Sequence, residues 1–299
     1  MAGNVLSRGE LFPEELIEGL FSKVTGKSSL AKLSGQIPIA FNGNEFFTFT
    51  MDDEVNIVGE NEVKPAGKIS IAPRTYRPLK MEYGARVSDE FLYGSEEVGI
   101  NILKAFAEGY AKKLAKGLDL AALHGINPRT GTKSTIIGSN NFADQVTQTV
   151  EFNMAEPDDN IQTAVDLIQG SEREVNGLIL APAFASALAN YKVNGISQFP
   201  EFRWGRVPEA TNGLRVDVNS TVSANQAKER AIIGDFANLF KWGYAKQIPM
   251  EVIPYGDPDQ SGQDLKAHNQ VYIRCETYIG WALMDPESFA RIVEAGGEG

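Results

Sequence analysis

The sequence predicts an α+β protein organised around one long helix, and three observations predict it. Ser95 to Gly125 places apolar side chains at Leu103, Phe106, Ala107, Tyr110, Leu114, Leu118, Ala121 and Ala122. That three-and-four spacing marks one face of an amphipathic helix. Residues 45–87 read as two extended stretches on either side of a polar, acidic excursion. Residues 271–284 form a late extended run, after a body of short helices and strands.

Taken in order, residues 1–12 are a short polar arm. Pro13 suits a helix start, and Leu16, Ile17, Leu20, Phe21 and Val24 make a short apolar stripe ending at Gly26. Ser29 to Ile39 reads as an irregular connection. Glu45 to Met51, EFFTFTM, is aromatic and threonine-rich, a strand by composition. Residues 52–67 are acidic and broken by glycine and proline, and the chain returns through Lys68 to Ala72. Leu79 to Val87 alternates apolar and polar positions as a half-buried strand does, and Pro78 before it suggests a sheet edge. A projecting hairpin is therefore expected over 45–87. A hairpin is marginal alone, so a neighbouring subunit is expected beneath it.

Ser88 is expected to cap a short turn before the helix. Glu96 and Glu97 favour the helix's first turn, and Gly125 closes its last. The helix should run about 28 residues, or roughly 40 Å, much longer than the average globular helix. Asp158 and Asp159 are expected to cap a helix carrying Ile161, Ala164, Val165 and Ile168. Gly177 to Ala181 is a buried strand, and Pro182 starts the helix PAFASALAN. Residues 192–213 are loop-like. Strands follow at Leu214–Val218, Ala231–Ile233 and Met250–Ile253, a mixture that fits α/β or α+β packing. In the run from Val271 to Met284 the odd positions should share one face, and DPESFARIV should follow as a short helix.

Composition narrows function. The chain has 299 residues, 42% of them hydrophobic and 22% charged, enough for one large domain or two. Its formal net charge of −11 repels phosphate backbones, so sequence-reading nucleic-acid binding is not expected. One cysteine, Cys275, permits no intrachain disulfide and fits a reducing compartment. No run approaches membrane-spanning length, and the first residues lack the basic start and apolar core of a signal peptide.

Chemical motifs are missing. Gly26-Lys27-Ser28 resembles the end of a phosphate-binding loop, but Phe21 stands where that loop needs glycine. In Gly131-Thr132-Lys133-Ser134, Thr132 replaces the glycine before the lysine. HExxH, GxSxG and GxGxxG are absent. The two histidines, His124 and His268, are far apart, and Cys275 alternates with apolar residues as a buried small hydrophobe does. No catalytic residue, metal site or cofactor is expected.

The order of parts resembles the tailed-phage major capsid proteins of the HK97 fold. Gly59-Glu60 followed by Lys64-Pro65 resembles that family's hairpin tip. Pro78-Leu79-Lys80, then Val87-Ser88-Asp89-Glu90-Phe91-Leu92, resembles the hairpin's return and the turn into its spine helix. Asp119-Leu120-Ala121 through Leu123-His124-Gly125 resembles the spine's end. Asn269 to Phe289, with Arg274, Glu276, Gly280, Trp281 and Pro286, resembles the C-terminal strand and its cap.

The resemblance implies five parts: an N-terminal arm (1–40), an extended-loop hairpin and its base (41–87), a peripheral domain with the spine helix (88–125), an axial domain (126–268) and a peripheral return strand with the C-terminus (269–299). It implies a homo-oligomer of pentamers and hexamers closing into an icosahedral shell around packaged double-stranded DNA, without sequence-specific binding and without a membrane. Implied partners are a portal protein, a scaffolding protein and possible decoration proteins. Because barely 40 residues precede the hairpin, the scaffold is expected to be a separate chain. The implied place is the virion capsid, assembled in the bacterial cytoplasm. Glu60, Glu62, Lys64 and Lys68 at the hairpin tip are expected to act between subunits. One branch of the family joins a hairpin lysine to an asparagine, with a glutamate as base. Asn269 and Glu276 match its spacing, and Lys64 or Lys68 could supply the amine, but both residue types also serve as strand-end and sheet partners in members that do not crosslink. An encapsulin-like compartment shell of the same fold is the alternative, told apart by its cargo; an α/β enzyme with unmarked carboxylate chemistry is the more distant one.

Overall fold

The computed structural model describes residues 28–51, 53–90, 96–224 and 227–295. The expected helix over Pro13–Val24 and most of the turn after Ser88 lie outside those residues. In chain order the elements are α1 (Ser29–Leu33), β1 (Asn44–Met51), β2 (Ile69–Tyr76), β3 (Leu79–Ser88), α2 (Glu96–His124), α3 (Phe142–Gln145), β4 (Thr149–Glu151), α4 (Pro157–Gln169), β5 (Gly177–Leu180), α5 (Pro182–Asn190), β6 (Lys192–Val193), β7 (Ile196–Ser197), β8 (Ala210–Thr211), β9 (Leu214–Val218), β10 (Glu229–Gly234), α6 (Phe236–Leu239), β11 (Phe240–Ile253), β12 (Gln270–Leu283) and β13 (Phe289–Val293).

The long helix α2 forms as its sequence requires. Leu103, Ala107, Tyr110, Leu114, Leu118, Ala121 and Ala122 are buried on one face. Gly125 ends the helix at φ +66°, donating its N–H to the Ala121 carbonyl at 2.9 Å. A β-carbon there would come 2.5 Å from Nδ2 of Asn141, so glycine satisfies both backbone and space.

The buried face of α2 shares a core with the three-stranded antiparallel sheet β11-β12-β3. Trp242, Ile273, Cys275, Ile279 and Trp281 belong to that core. Tyr110 ties helix to sheet, its hydroxyl 2.8 Å from Thr277 Oγ1 and 3.1 Å from the Met81 carbonyl. The odd positions Ile273, Cys275, Ile279, Trp281 and Leu283 of β12 share the face in this core, and most of its even positions are covered as well. The segment after α1 crosses the sheet, with the Ile37 N–H donating to the Trp242 carbonyl at 2.8 Å. A β-carbon on Gly243 would meet the Ile37 carbonyl oxygen at 1.7 Å, so only glycine admits that crossing.

The second body is a six-stranded mixed sheet, β4-β13-β10-β5-β9-β8. Helices α4 and α5 bury Ala164, Ile168, Phe184 and Leu188 in the same core as its strands, and α4 starts at Pro157, so Asp158 and Asp159 lie in its first turn instead of capping it. Phe142 joins the two bodies, its ring 5.1 Å from Phe289, 5.6 Å from Phe240 and 6.0 Å from Phe236.

Several expectations change. DPESFARIV is not a helix: only Pro286–Ser288 makes a 3₁₀ turn, and Phe289–Val293 is β13, between β10 and β4. Its β-branched and aromatic residues suit a sheet position. The strand expected at Met250–Ile253 begins at Phe240, its first part disguised by Lys241, Gly243 and Pro249. Sheet pairing therefore crosses the expected boundaries: β11, from 126–268, joins the spine's sheet, and β13, from 269–299, joins the second body. Ser29–Leu33, expected to be irregular, is a buried helix capped by Ser28. Finally, β1 pairs with β2, whereas β3 pairs with β12 as a sheet edge, the place Pro78 suggested.

Candidate assembly surfaces

The hairpin β1–β2 is the most exposed apolar feature of the described chain. Cross-strand partners are Phe47 with Pro73, Phe49 with Ile71 and Met51 with Ile69. Alternation puts all six on one face of the ribbon. Phe47, Phe49, Met51, Ile69 and Ile71 are between 54% and 74% exposed. Val55, Ile57 and Val63 extend the apolar surface towards the tip. At the base, Phe46 stacks on buried Tyr76, ring centroids 5.3 Å apart, and Tyr76 shares a small core with Ile39 and Ala282. The ribbon is anchored at its root and bare along one side, and contiguous apolar surface of this kind marks an interaction site.

The tip closes through polar contacts. The Lys68 N–H donates to Asp53 Oδ2 at 2.7 Å, and the Gly59 N–H to Glu62 Oε2 at 3.0 Å. Glu60, Glu62, Lys64 and Lys68 are all exposed there. Asn269 is exposed just before β12, its carbonyl accepting from the Asp89 N–H at 3.0 Å. Glu276 lies seven residues along the strand, roughly 23 Å away. It is buried, 2.7 Å from Lys80 and 3.3 Å from Arg274. Hydrogen bonding to Glu276 raises the Lys80 pKa. Within the subunit, then, the four tip residues share the exposed 53–68 segment, while Asn269 and Glu276 are apart.

Asp119, which the sequence marked only as part of the stretch resembling the spine's end, is a buried junction. Its buried carboxylate accepts from Ser28 Oγ, from the Ser29 and Leu30 N–H groups at 3.1 and 3.4 Å, and from Asn219 Nδ2 and Thr221 Oγ1 at 3.1 Å each. One side chain thus fastens α1, α2 and the 219–221 turn. Burial pushes its pKa up to about 6, against the lowering effect of those donors. Nearby, His124 Nε2 lies 2.8 Å from the Thr221 carbonyl, and His124 is buried.

Arg86 is a second such point. Its Nη2 lies 2.7 Å from Asp257 Oδ1, 2.5 Å from both Asp259 Oδ1 and Ser261 Oγ, and 2.9 Å from the Gln263 carbonyl. Strand β3 thereby holds the 254–268 loop, and the arginine keeps the Asp259 carboxyl well below the usual range. Sequence reading missed this point, because Arg86 and Asp257 are 171 residues apart and no local pattern joins them.

Cys275 is buried and its thiol is pushed up to about 12 by burial, so it is not poised as a nucleophile. Among the described residues no group of His, Cys, Asp or Glu is arranged to hold a metal, and no helix is long and apolar enough to cross a membrane.

Comparison with known proteins agrees with this architecture. The phage capsid family model matches residues 9–293. A curated protein described as "Probable major capsid protein gp17", from Mycobacterium phage D29, is 22% identical over 99% of this chain and 95% of its own length. A solved structure from Mycobacterium phage Ogopogo has a TM-score of 0.78 at 30% identity, covering 90% of this chain and 92% of that one. One from Gordonia phage Cozz has a TM-score of 0.77 at 23% identity, covering 90% and 87%. The fold is the HK97-like α+β capsid fold, and the chain belongs to the phage capsid family.

Proposed function

We propose that this chain is the major capsid protein of a tailed phage, assembling through pentamers and hexamers into an icosahedral shell around packaged double-stranded DNA. The role is structural rather than enzymatic. The observation that carries the reading, beside family membership, is the bare apolar side of the β1–β2 ribbon. Such a surface needs a second copy to cover it, and a subunit that both offers and covers one can propagate. Charge supports the cargo: at a formal −11, the shell lets DNA slide inside without gripping it. A separate scaffolding protein, a portal protein and possible decoration proteins complete the particle, which is built in the host cytoplasm. Glu60, Glu62, Lys64 and Lys68 supply weak, repeated contacts between subunits, each worth well under about 1 kcal/mol.

The shell is held non-covalently. Glu276, the candidate base for crosslinking, already pairs with Lys80 and Arg274. Purified virions are expected to protect their DNA from nuclease and to show this chain as the dominant denatured band, near 32.6 kDa. A ladder of multiples would overturn the non-covalent shell. Absence of the chain from DNA-filled particles would overturn the function.

A further inference from the structure

Trp204 is 97% exposed, whereas Trp242 and Trp281 are fully buried. It sits in the 3₁₀ segment Pro200–Gly205 at φ +62°, a left-handed conformation uncommon for an aromatic residue. Arg203 and Arg206 flank it. Phe202, two residues before it, is buried in the core of the second body, and the segment packs on α5. The indole is therefore held out on a rooted turn. Tryptophan and arginine are the side chains most often found at the energetic centres of protein interfaces.

The same body carries a matching depression. A concavity of about 400 Å³ is lined by Met154, Ala155, Ala183, Ala187 and Tyr191, together with the polar Ser186, Asn190 and Lys192. Glu156, Asp158 and Asp159 stand beside it. The pKa of the Tyr191 hydroxyl is raised by burial, then by the charge of Asp158 and a hydrogen bond to its carboxylate, then by the charges of Asp159 and Glu156. The Asp158 carboxylate is hydrogen-bonded to Tyr191, and its Oδ1 is buried without a hydrogen-bond partner of its own. The depression thus has a mixed lining, with Met154, three alanines and the Tyr191 ring as its apolar part, and acidic residues beside it. The projecting turn has an apolar tip and a basic collar.

We propose that Trp204 of one copy docks in this depression on the next copy, with Arg203 and Arg206 facing Glu156, Asp158 and Asp159. This rests on the shell reading given above and names a contact within it. Trp204 does not fill the depression of its own subunit, since it is almost wholly exposed. The contact is heterologous, two different patches meeting head to tail, and repetition of such a contact closes a ring when the rotation allows. Strain at the tip and desolvation at the rim are then compensated in the assembly rather than in the free subunit.

The test uses the full chain under conditions where the wild type assembles, with neighbouring gene products added if the wild type needs them. Trp204 is the only exposed tryptophan, so acrylamide quenching of intrinsic fluorescence reports on it directly. Quenching is expected to fall several-fold between free subunits and assembled rings or shells. Undiminished quenching in assembled material would overturn the docking while leaving the shell reading intact. Failure of the wild type to assemble would instead count against the shell reading itself. As a second arm, Arg203→Glu with Arg206→Glu should abolish assembly without lowering the melting temperature of the free subunit. Adding Asp158→Arg and Asp159→Arg should restore it. Full assembly of the arginine variant, or no restoration in the combined variant, would overturn the contact.

Discussion

Replacing Asp119 with alanine is expected to lower the unfolding free energy of the subunit by about 3 kcal/mol or more. The substitution removes one carboxylate and strands five donors, from Ser28, Ser29, Leu30, Asn219 and Thr221, on two separate pieces of chain. Buried donors without acceptors cost more than the bonds they lose. Denaturant melts of the isolated subunit measure this, and a loss under about 1 kcal/mol would contradict the role given to Asp119. A pH dependence follows from the same site. The folded pKa of about 6 lies above the ordinary value of 3.8. The folded state therefore keeps a proton that the unfolded state has already lost between those values. The stability this contributes is complete below about pH 4 and is lost as pH rises through about 6. Measured against Asp119→Asn, which cannot titrate, the wild type should gain stability as pH falls from 7 to 4.

The other large effect concerns the ribbon. Phe49 and Ile71 are opposite one another on its bare side. Phe49→Asp with Ile71→Asp should leave the subunit's melting temperature nearly unchanged, since both side chains are exposed and surface substitutions are usually within about 0.5 kcal/mol. Assembly should be lost. Each apolar side chain contributes about 1.5–3 kcal/mol when buried, and the substitution also desolvates two carboxylates in every copy. Sedimentation at concentrations where the wild type assembles is the measurement. Wild-type assembly by this variant would mean that the ribbon's apolar side is not an interface.

Local signals made much of the architecture legible. The spine helix announced itself through apolar periodicity and a terminal glycine, α4 through its two aspartates and apolar spacing, α5 through its proline start, and β5 and β9 through short apolar runs. Long-range pairing was not legible. Nothing in Leu79–Ser88 says that its partner is β12 rather than β1, because pairing is set by which sheet has a free edge over the helix. Phe289–Val293 misled because Asp285-Pro286 is a good helix start, while the strand edges of β10 and β4 decide the outcome. For the assembly surfaces, the charged tip drew attention through its composition. The stripe beside it required knowing the register of β1 on β2, although the alternation in EFFTFTM carried half of it. Asp119, Arg86 and Trp204 matter through tertiary neighbours and exposure, which no local pattern encodes.

The central claim is that this chain builds a closed shell from copies of itself. Sedimentation velocity of the purified full-length chain, with the heaviest fraction imaged by negative stain, tests it most directly. If neighbouring gene products are required, they are added and the experiment repeated. Rings of five or six subunits, or closed icosahedral particles, are the predicted result. A monodisperse monomer or dimer that stays so with every neighbouring product present would contradict it.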